Sequence, residues 1–466
     1  MLNSKNLKML GVDLDFVPQG SVYVAPPPDI SSVMADMAPG RLLEVLQTVG
    51  LHGQRTDYIH WDKLRQLKPP DGITPEEWWM AIRMSRGGQL TRLPLRDVKG
   101  TAFGYQTPPE ALRGLHYIDQ HCSGEIAMDE VVTSDHQARH HYLVSSLMEE
   151  AIRSSQLEGA TTSRRIAKEL LRTGRPPRDR SETMILNNYR ALEFMRDDMG
   201  DHLTPELVMT LQRILTEGTL DDPSGAGRLQ TPDEDRVVVL DATDGTVMHR
   251  PPPADQLPER LRAMCDFANE TADADGVFIH PVVRAIMLHF WLAYDHPFQD
   301  GNGRTSRALF YWYLRTKKYW LIEYLSISRV LRKAPSKYAR AFLFTETDQG
   351  DATYFLLHQL DVIERAVAEL QTYLKRKVKE VKDVEQLIKG AEAFNHRQLA
   401  LLGDAIRHPD HSYSYQSHAT SHRVTHETAR TDLVGLQEHG LLERRRLNRK
   451  HLYTPVSDLP EVLKAL

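Results

Sequence analysis

Apolar residues recur at helical spacing along most of the chain, and this pattern predicts the fold class. In the stretch that ends at Gly159, the residues Leu143, Leu147, Ala151 and Leu157 repeat at a period close to one helical turn. Glycine is a natural residue for the C-terminal end of such a helix. Similar amphipathic stretches follow downstream, so the sequence predicts a mostly α-helical protein.

Two strongly apolar helices flank a short polar segment in the middle of the chain. The apolar stripes are formed by Val282, Ile286, Phe290 and Ala293 in the first helix and by Leu309, Trp312 and Tyr313 in the second. Both segments are apolar on nearly all sides, as helices at the centre of a core are. The polar segment between them, "HPFQDGNGRTSR" at residues 296–307, is therefore predicted to be a tight loop that joins two core helices.

Short β-formers interrupt the helical pattern at two places. Val237–Leu240 and Thr246–Met248 flank Asp244-Gly245, a dipeptide typical of type I′ hairpins. Near the C-terminus, two helical segments precede a hairpin with a basic turn, which is the order of a winged helix-turn-helix. We therefore predict one hairpin inside a helical domain and a separate winged-helix domain after it.

Changes in composition divide the chain into four parts. We predict an N-terminal helical and aromatic-rich region at 1–128, a central helical domain at 129–375, a charged helical linker at 376–392 and a winged helix-turn-helix domain at 393–466. In the N-terminal region, Thr74 and Pro75 have the form of a helix cap and a first helical residue.

Composition and charge exclude several classes of protein. The chain has 466 residues, of which 41% are hydrophobic and 26% charged, and a formal net charge of -5. These values indicate a soluble globular protein and exclude a globally basic nucleic-acid coat. No run approaches the roughly 20 apolar residues of a spanning helix, and the N-terminus lacks the apolar core of a signal peptide. Cys122 and Cys265 lie far apart without metal-ligand spacing, so we expect buried reduced thiols in a cytoplasmic protein without a membrane partner.

The loop at residues 296–307 has the composition of a phosphate site. Gly301 and Gly303 allow backbone N–H groups to converge at the positive end of the following helix, where an anion is stabilised. Arg304 and Arg307 lie on neighbouring faces of the first turn and can bind further phosphate oxygens. Two arginines indicate a ligand with more than one phosphate group.

Two further side chains of the loop suggest catalysis. Asp300 supplies an oxygen ligand beside the phosphates, as in Mg²⁺ sites that use few protein ligands. His296 stands where the loop begins and is able to accept a proton from an incoming hydroxyl as a general base. Singly, each residue is explained by a helix cap or a turn, but the ordered combination is hard to explain in that way. A Mg²⁺-bound nucleotide is the predicted ligand.

This loop resembles the full signature of the Fic family, His-Pro-Phe-x-Asp/Glu-Gly-Asn-Gly-Arg-x-x-Arg, with every defined position filled. The resemblance implies a helical Fic domain at 129–375 that transfers AMP from ATP to a Ser, Thr or Tyr hydroxyl of a target protein or of itself, releasing pyrophosphate. It implies that His296 deprotonates the hydroxyl and that Asp300 holds Mg²⁺. It further implies that Asn302, with the Gly301 and Gly303 backbone, lines the anion hole, while Arg304 and Arg307 hold the terminal phosphates.

The resemblance leaves the transferred group and the donor open. Family members that act as kinases have lysine and alanine where this loop keeps its glycines, which favours nucleotidyl transfer here. CTP, UTP and GTP remain alternative donors. The predicted hairpin at about 236–252 resembles the Fic flap, which pairs with an extended target segment as an added strand, and its docking residues would be Val247, Met248 and His249. The alternative is an ordinary surface hairpin.

A second motif lies at the end of the helix that precedes the Fic core, at about 142–159. Ser154, Glu158 and Gly159 are similar to the family's inhibitory motif, Ser/Thr-x-x-x-Glu-Gly/Asn. The spacing of four residues places Ser154 and Glu158 on one helix face. The resemblance implies that Glu158 reaches Arg307 and blocks the γ-phosphate position. Alternatives are a solvated glutamate and a residue that orients water for removal of AMP from a modified target.

The C-terminal domain is a candidate DNA-binding module. The residues that would contact DNA are Thr428, Arg430 and Thr431 on the recognition helix and Arg444, Arg445, Arg446, Arg449 and Lys450 in the basic turn. Protein docking, formation of a homodimer, and a merely solvated run of charge are equally weighted alternatives. The rival to an enzyme is therefore a DNA-binding regulator whose Fic domain senses nucleotide.

Overall fold

The computed structural model describes residues 22–51, 58–123, 136–240, 245, 247–270, 278–387, 394–447 and 450–465. Within these residues the protein is mostly helical, as the apolar pattern predicts. The strands of the described residues form three separate two-stranded antiparallel sheets.

The N-terminal region combines helices with a hairpin that the sequence analysis missed. Its elements are α1 Ile30–Ala35, α2 Arg41–Leu51, α3 Trp61–Leu64, α4 Pro75–Gly87, β1 Thr91–Arg96, β2 Ala102–Tyr105 and α5 Pro109–Cys122. Thr74 caps α4, as predicted, and forms a capping box with Glu77. The predicted helical region also contains this hairpin, because Leu93 and Leu95 alternate with exposed neighbours and form the buried face of β1.

The central region is a helical bundle. Its helices are α6 His136–Leu157, α7 Arg164–Thr173, α8 Arg180–Asp197, α9 Pro205–Thr216, α10 Leu257–Asn269, α11 Pro281–Asp295, α12 Asn302–Thr316, α13 Ile327–Leu331, α14 Pro335–Thr347 and α15 Thr353–Leu387. Helices α11 and α12 pack against each other inside the largest hydrophobic cluster, and Ile286 and Leu309 there are fully buried. The predicted pair of core helices is confirmed.

The hairpin of the central region is shorter than predicted. Strand β3 covers only Val239–Leu240 and pairs with β4, Val247–His249, with an irregularity in the register. The strand predicted at 237–240 is wrong at its start and the strand predicted at 246–248 is wrong at its end, while Thr246 lies outside the described residues. Asp244 of the predicted turn lies outside the described residues, whereas Gly245 has the positive φ of 72° expected at such a turn.

The C-terminal unit, defined here as residues 394–465, has its own hydrophobic core. It consists of α16 His396–Arg407, α17 Tyr415–His422, α18 His426–Glu438, β5 Leu442–Leu447, β6 Lys450–Pro455 and α19 Leu459–Ala465. Helix α17 was not predicted, because its buried residues include Ser417, His418 and His422 and give no apolar period.

The placement of three arginines in a basic turn is wrong. Arg444, Arg445 and Arg446 lie in strand β5, opposite Tyr453, Leu452 and His451 of β6. The pairing of Leu447 with Lys450 leaves only two residues for the turn, so the arginines belong to the strand. Arg449 lies outside the described residues, and Lys450 is the first residue of β6.

The C-terminal unit packs on the helix that ends at the predicted inhibitory motif. Helix α17 contacts both α6 and α7, and Arg423 forms an ion pair with Glu193 of α8. Helix α15 continues to Leu387 without a break across the predicted domain boundary at residues 375–376.

Two further predictions concern the whole molecule. Cys122 and Cys265 are free and buried, as expected. Across the described part of the chain, every helix is too short or too polar to span a membrane.

Candidate active site

His296 ends α11 in a conformation that fixes its ring. Its backbone is left-handed, with φ 46° and ψ 52°, and Nδ1 lies 3.3 Å from the carbonyl oxygen of Ala293. Because a carbonyl only accepts hydrogen bonds, we assign the proton to Nδ1, and Nε2 is then the nitrogen able to accept a proton. Burial, followed by the neighbouring His249 and Arg236, lowers the pKa of His296 to about 4. The imidazole is thus a neutral base near pH 7.

The loop after His296 is held by side chains that bond to its backbone. The Asn302 carboxamide accepts a hydrogen bond of 2.9 Å from the Phe298 N–H and donates one of 2.8 Å to the Phe298 carbonyl. Gln212 of α9 donates to the carbonyl of Asp300 at 3.0 Å. Both amides are buried, so few other partners are available to them. The loop is therefore fixed before any ligand binds.

Arg236 was missed by the sequence analysis, although it fixes the other end of the loop. It donates to the carbonyls of Asp295 at 2.7 Å, His296 at 3.0 Å and Pro252 at 2.8 Å, and it also bonds to Gln230. Burial lowers its pKa to about 10, which leaves it cationic at neutral pH. No local pattern marks this residue, since the three carbonyls that it binds lie 16 and about 60 positions away.

Asp300 is an ionised carboxylate that faces the start of α12. Its Oδ1 accepts from the Gly301 N–H at 2.5 Å, and its Oδ2 lies 3.1 Å from Arg304. Burial alone would raise the pKa of Asp300, but the charge of Arg304 and the Gly301 amide lower it below its usual value. The half-buried carboxylate keeps lone pairs for a cation.

The fit to Mg²⁺ depends on a bound ligand. Among the described residues, no three His, Cys, Asp or Glu side chains are grouped so that they could hold a metal ion. Mg²⁺ commonly takes one or two carboxylates together with substrate phosphates and water. Asp300 fits that pattern as the single protein ligand.

The two loop glycines occupy different positions. Gly301 caps α12 with φ 83°, and a Cβ there would lie 2.9 Å from Cγ2 of Thr216. Gly303 lies inside the first turn, because α12 begins at Asn302, so the prediction that both glycines precede the helix is wrong for Gly303. The N–H groups of this first turn still form the positive end of the helix dipole, where an anion is stabilised.

Arg304 is buried within the site and hydrogen-bonds to two of its parts. Only 1% of the residue is exposed, and its guanidinium donates to the Leu215 carbonyl at 2.9 Å as well as to Asp300. The structure thus joins Arg304 to Asp300 and to α9. Its contact with phosphate stays a prediction.

Arg307 meets both polar residues of the second motif. Its Nε and Nη2 donate to Oγ of Ser154 at 3.0 and 2.9 Å, and Nη2 lies 2.9 Å from Oε1 of Glu158. Glu158 follows the last residue of α6, and Gly159 reverses the chain there with φ 94°. Gly303 gives the carboxylate room, since a Cβ at that position would lie 2.2 Å from Glu158 Oε1. The arrangement joins α6 to the first turn of α12.

The three predicted docking residues of β4 divide into one buried anchor and two accessible side chains. His249 is buried, with Nε2 2.7 Å from the Tyr294 carbonyl and Nδ1 2.8 Å from Oε2 of Glu346. Val247 is 38% exposed and Met248 is half-buried. Of the three predicted docking residues, His249 therefore ties the hairpin to α11 and α14, while Val247 and Met248 are accessible.

Among the predicted DNA contacts whose exposure the structure describes, all are exposed except Thr428, which is half-buried. Thr428, Arg430 and Thr431 are placed on α18; Arg430 pairs with Glu427 at 2.9 Å, and Thr431 donates to the Glu427 carbonyl. The three arginines of β5 are exposed. These residues lie apart from the loop at 296–307, so the structure does not bring the two predicted phosphate sites together.

Part of the chain is similar in sequence to a known protein family. Residues 202–314 match the Fic/DOC family. The chain is 39% identical over 61 residues to "Protein adenylyltransferase Fic" of Nematostella vectensis, which covers 13% of this chain and 14% of that protein. It is 36% identical over 88 residues to "Protein adenylyltransferase fic-1" of Caenorhabditis elegans, which covers 19% of this chain and 15% of that protein.

Solved structures show weaker likeness over longer stretches. A Fic family protein from Desulfovibrio desulfuricans G20 has 20% identity and a TM-score of 0.44 over 74% of this chain and 95% of its own. Fic-1 from Caenorhabditis elegans has 18% identity and a TM-score of 0.46 over 75% and 92% of the two chains. The family match at 202–314 includes the hairpin and the loop at 296–307, whereas Ser154, Glu158 and the C-terminal unit lie outside it.

Proposed function

We propose that this protein transfers AMP from Mg²⁺-bound ATP to a Ser, Thr or Tyr hydroxyl of a target protein or of itself. The single observation that carries the proposal is the placement of a neutral His296 and an ionised Asp300 on one loop at the N-terminus of α12. A base, a metal-binding carboxylate and an anion site are the three groups that nucleotidyl transfer requires. The curated relatives that match the segment are named as protein adenylyltransferases.

In the proposed reaction, Nε2 of His296 accepts the proton of the target hydroxyl. The hydroxyl oxygen forms a bond to the α-phosphorus, the bond to the bridging oxygen breaks, and pyrophosphate leaves with the electron pair. The β3–β4 hairpin, in which Val247 and Met248 of β4 are accessible, would align an extended target segment.

The remaining loop residues would hold the phosphates. The N–H groups of the first turn of α12 favour negative charge, and Asn302 fixes the loop that presents them. Bound at Asp300, Mg²⁺ would neutralise phosphate charge. Arg307 would reach the terminal phosphate once its contact with Glu158 is released.

We further propose that Glu158 restrains this activity. Its carboxylate lies 2.9 Å from Arg307, so it occupies the cation that a phosphate would need and repels the incoming negative charge. The carboxylate is only about one-quarter exposed, which limits screening by solvent. An alternative role is orientation of a water molecule for removal of AMP from a modified target.

The test uses three purified full-length proteins: wild type, Glu158→Gly, and Glu158→Gly/His296→Ala. Each is incubated with Mg²⁺ and ATP, with and without a candidate target, and followed by intact-protein mass. We expect AMP addition by Glu158→Gly, little by wild type and none by the double variant. Equal modification by all three proteins would contradict both roles, because neither the base nor the restraint would matter.

A second candidate function follows from the C-terminal unit. Its helix, helix, helix and hairpin order, with exposed Arg430 and Arg445 and a half-buried Thr428, fits a winged helix that binds DNA. In that case the Fic segment would sense nucleotide. The His296→Ala variant separates the two functions, since a sensor keeps nucleotide-dependent DNA binding and an enzyme loses modification.

A further inference from the structure

A cleft runs along the outer face of α6, away from the loop at 296–307. It has a volume of about 370 Å³ and is walled by α6, α7, α15 and the segment that leads into α13. A second cavity of about 230 Å³ continues beneath α16 and α17 of the C-terminal unit. Ser145, Lys168 and Tyr373 line both cavities, so the two form one continuous groove.

The lining of the larger cavity carries an excess of positive charge. Five basic side chains line it with two acidic ones: Arg153, Arg164, Lys168, Arg329 and Arg376, with Glu149 and Glu369. The formal charge of the lining is therefore +3 near neutral pH. A concave surface concentrates such a potential more than a flat one does.

On the wall formed by α6 and α7, one carboxylate lies within ion-pair distance of three cationic side chains. Glu149 lies 2.9 Å from Arg153, 2.9 Å from Arg164 and 3.7 Å from Lys168. Burial alone would raise the pKa of Glu149, yet the three cations lower it. Among the described lining residues of this wall, three basic side chains accompany one carboxylate.

The opposite wall, formed by α13 and α15, carries a second basic group. Arg329 pairs with Glu369 at 3.1 Å, and Lys333 pairs with the same carboxylate from outside the cleft. The Arg376 guanidinium lies 5.5 Å from the ring centroid of Tyr373, which also lines the cleft. Positive charge is thus present on both sides of the groove.

We propose that this cleft binds a diphosphate-type anion, with one phosphate group against Arg153, Arg164 and Lys168 and the other against Arg329 and Arg376. Two basic walls favour a ligand with two linked anionic groups over a single phosphate, because each group can then contact cations of one wall. The cavity is of the size of small-molecule sites, and arginine is well suited to bind phosphate in a bidentate manner.

The proposed site is independent of the proposed transferase function. None of its lining residues belongs to the loop at 296–307 or to the Ser154–Glu158 motif. It does share helix α6 with that motif, since Arg153 directly precedes Ser154. The site would remain even if the protein transferred no AMP.

The experiment is calorimetric titration of the full chain with inorganic pyrophosphate, without Mg²⁺, at fixed ionic strength. The variants are Arg329→Gln/Arg376→Gln on one wall and Arg164→Gln on the other, whose altered side chains are substantially exposed and therefore tolerant of change. Lys333→Gln is the matched control, because it pairs with Glu369 from outside the cleft. Orthophosphate is the comparison ligand.

We expect both cleft variants to weaken pyrophosphate binding at least tenfold, the control to bind like wild type, and orthophosphate to bind wild type at least tenfold more weakly than pyrophosphate. Equal affinity in wild type and both cleft variants would place the anion elsewhere and overturn the proposal. Absence of binding to wild type, or equal binding of the two anions, would overturn it as well. Unchanged thermal midpoints would show that the variants are folded.

Discussion

Two basic segments of this chain are predicted to contact phosphate, and they are built in opposite ways. In the segment at 296–307, Arg304 and Arg307 lie at the start of α12, are each only 1% exposed, and bond to fixed carbonyl, hydroxyl and carboxylate groups. In the hairpin at 442–455, Arg444, Arg445 and Arg446 are exposed on strand β5. Arg445 there has a pair 3.3 Å away, Glu443, that is itself exposed.

The difference separates a preorganised site from an electrostatic surface. Buried charges must be paired and hydrogen-bonded, so each change in the loop leaves a partner without a bond. The exposed arginines are already solvated by water. Replacing any one of them therefore alters binding by a small and similar amount. Large, specific effects are expected in the loop and small, additive ones in the hairpin.

The largest effect is expected from Arg236→Met, which removes the clamp on the backbone at His296. Three carbonyls, of Pro252, Asp295 and His296, lose a donor. Leaving buried acceptors without partners lowers the free energy of unfolding by about 1–3 kcal/mol per group, so we expect a fall of roughly 3 kcal/mol. The measurement is the thermal unfolding midpoint.

Arg228→Met is the matched control for this change. Arg228 belongs to the same segment but is half-exposed and pairs with Glu234 near the surface. We expect a loss of less than about 1 kcal/mol. If the two substitutions lowered the midpoint equally, the clamp would have no special role, and the contrast between the loop and the surface would fail.

The second effect is a pH dependence caused by His296. Its pKa is about 4 in the folded protein and about 6.5 in an unfolded chain, so between these values the unfolded state binds more protons. The stability associated with the neutral imidazole is therefore complete above pH 6.5 and is lost as pH falls toward 4. We expect the thermal midpoint of wild type to fall more steeply from pH 7 to pH 5 than that of His296→Gln. Parallel curves would show that the ring is not held neutral by its surroundings.

A smaller effect is expected from Gly303→Ala, and its sign depends on Glu158. In the wild-type background the new Cβ would lie 2.2 Å from Glu158 Oε1, so the carboxylate must leave Arg307. Losing that buried pair should lower stability by about 1–2 kcal/mol. In the Glu158→Gly background the carboxylate is gone and only Nη1 of Arg307, 3.0 Å from the ideal Cβ, has to shift, so alanine in a helix should add up to about 1 kcal/mol.

The measurement for this pair is a double-mutant cycle on the thermal midpoint. Gly50→Ala is the control, because Gly50 lies in α2 with no atom within 4 Å of its ideal Cβ. That change should behave the same in both backgrounds. Equal effects of Gly303→Ala in the two backgrounds would mean that Glu158 does not occupy the space beside α12.

The loop shows which parts of a site are visible in a sequence. Helices α11 and α12 were predictable because a continuous apolar period brackets a glycine-rich segment. Proximity of Glu158 to Arg307 was expected from the family resemblance, and the structure brings both Glu158 and Ser154 to Arg307. The supports of the loop were not predictable, since Gln212 and Arg236 are single polar residues whose partners are chosen by tertiary packing.

The C-terminal unit shows where prediction from apolar periodicity fails. Helix α17 escaped prediction because its inner face is polar, with His418 bonded to Asp432 rather than packed in an apolar stripe. The arginines of β5 were assigned to a turn because their charge suggested a loop. In the structure they lie in β5 and pair with residues of β6. Apolar periodicity therefore predicts elements well only where burial is apolar.

The smallest effect is expected for Arg445→Gln and Arg446→Gln in the exposed hairpin. If this surface binds DNA, each lost phosphate contact should weaken binding by less than about 1 kcal/mol and reduce the slope of log affinity against log salt by about 0.9. Fluorescence anisotropy with a short duplex across a salt series measures both quantities. Arg365→Gln on α15 is the control, since Arg365 is exposed and pairs only locally with Asp361. A slope unchanged by the hairpin variants, or changed equally by the control, would remove the hairpin from the phosphate contacts and leave protein docking as the role of this surface.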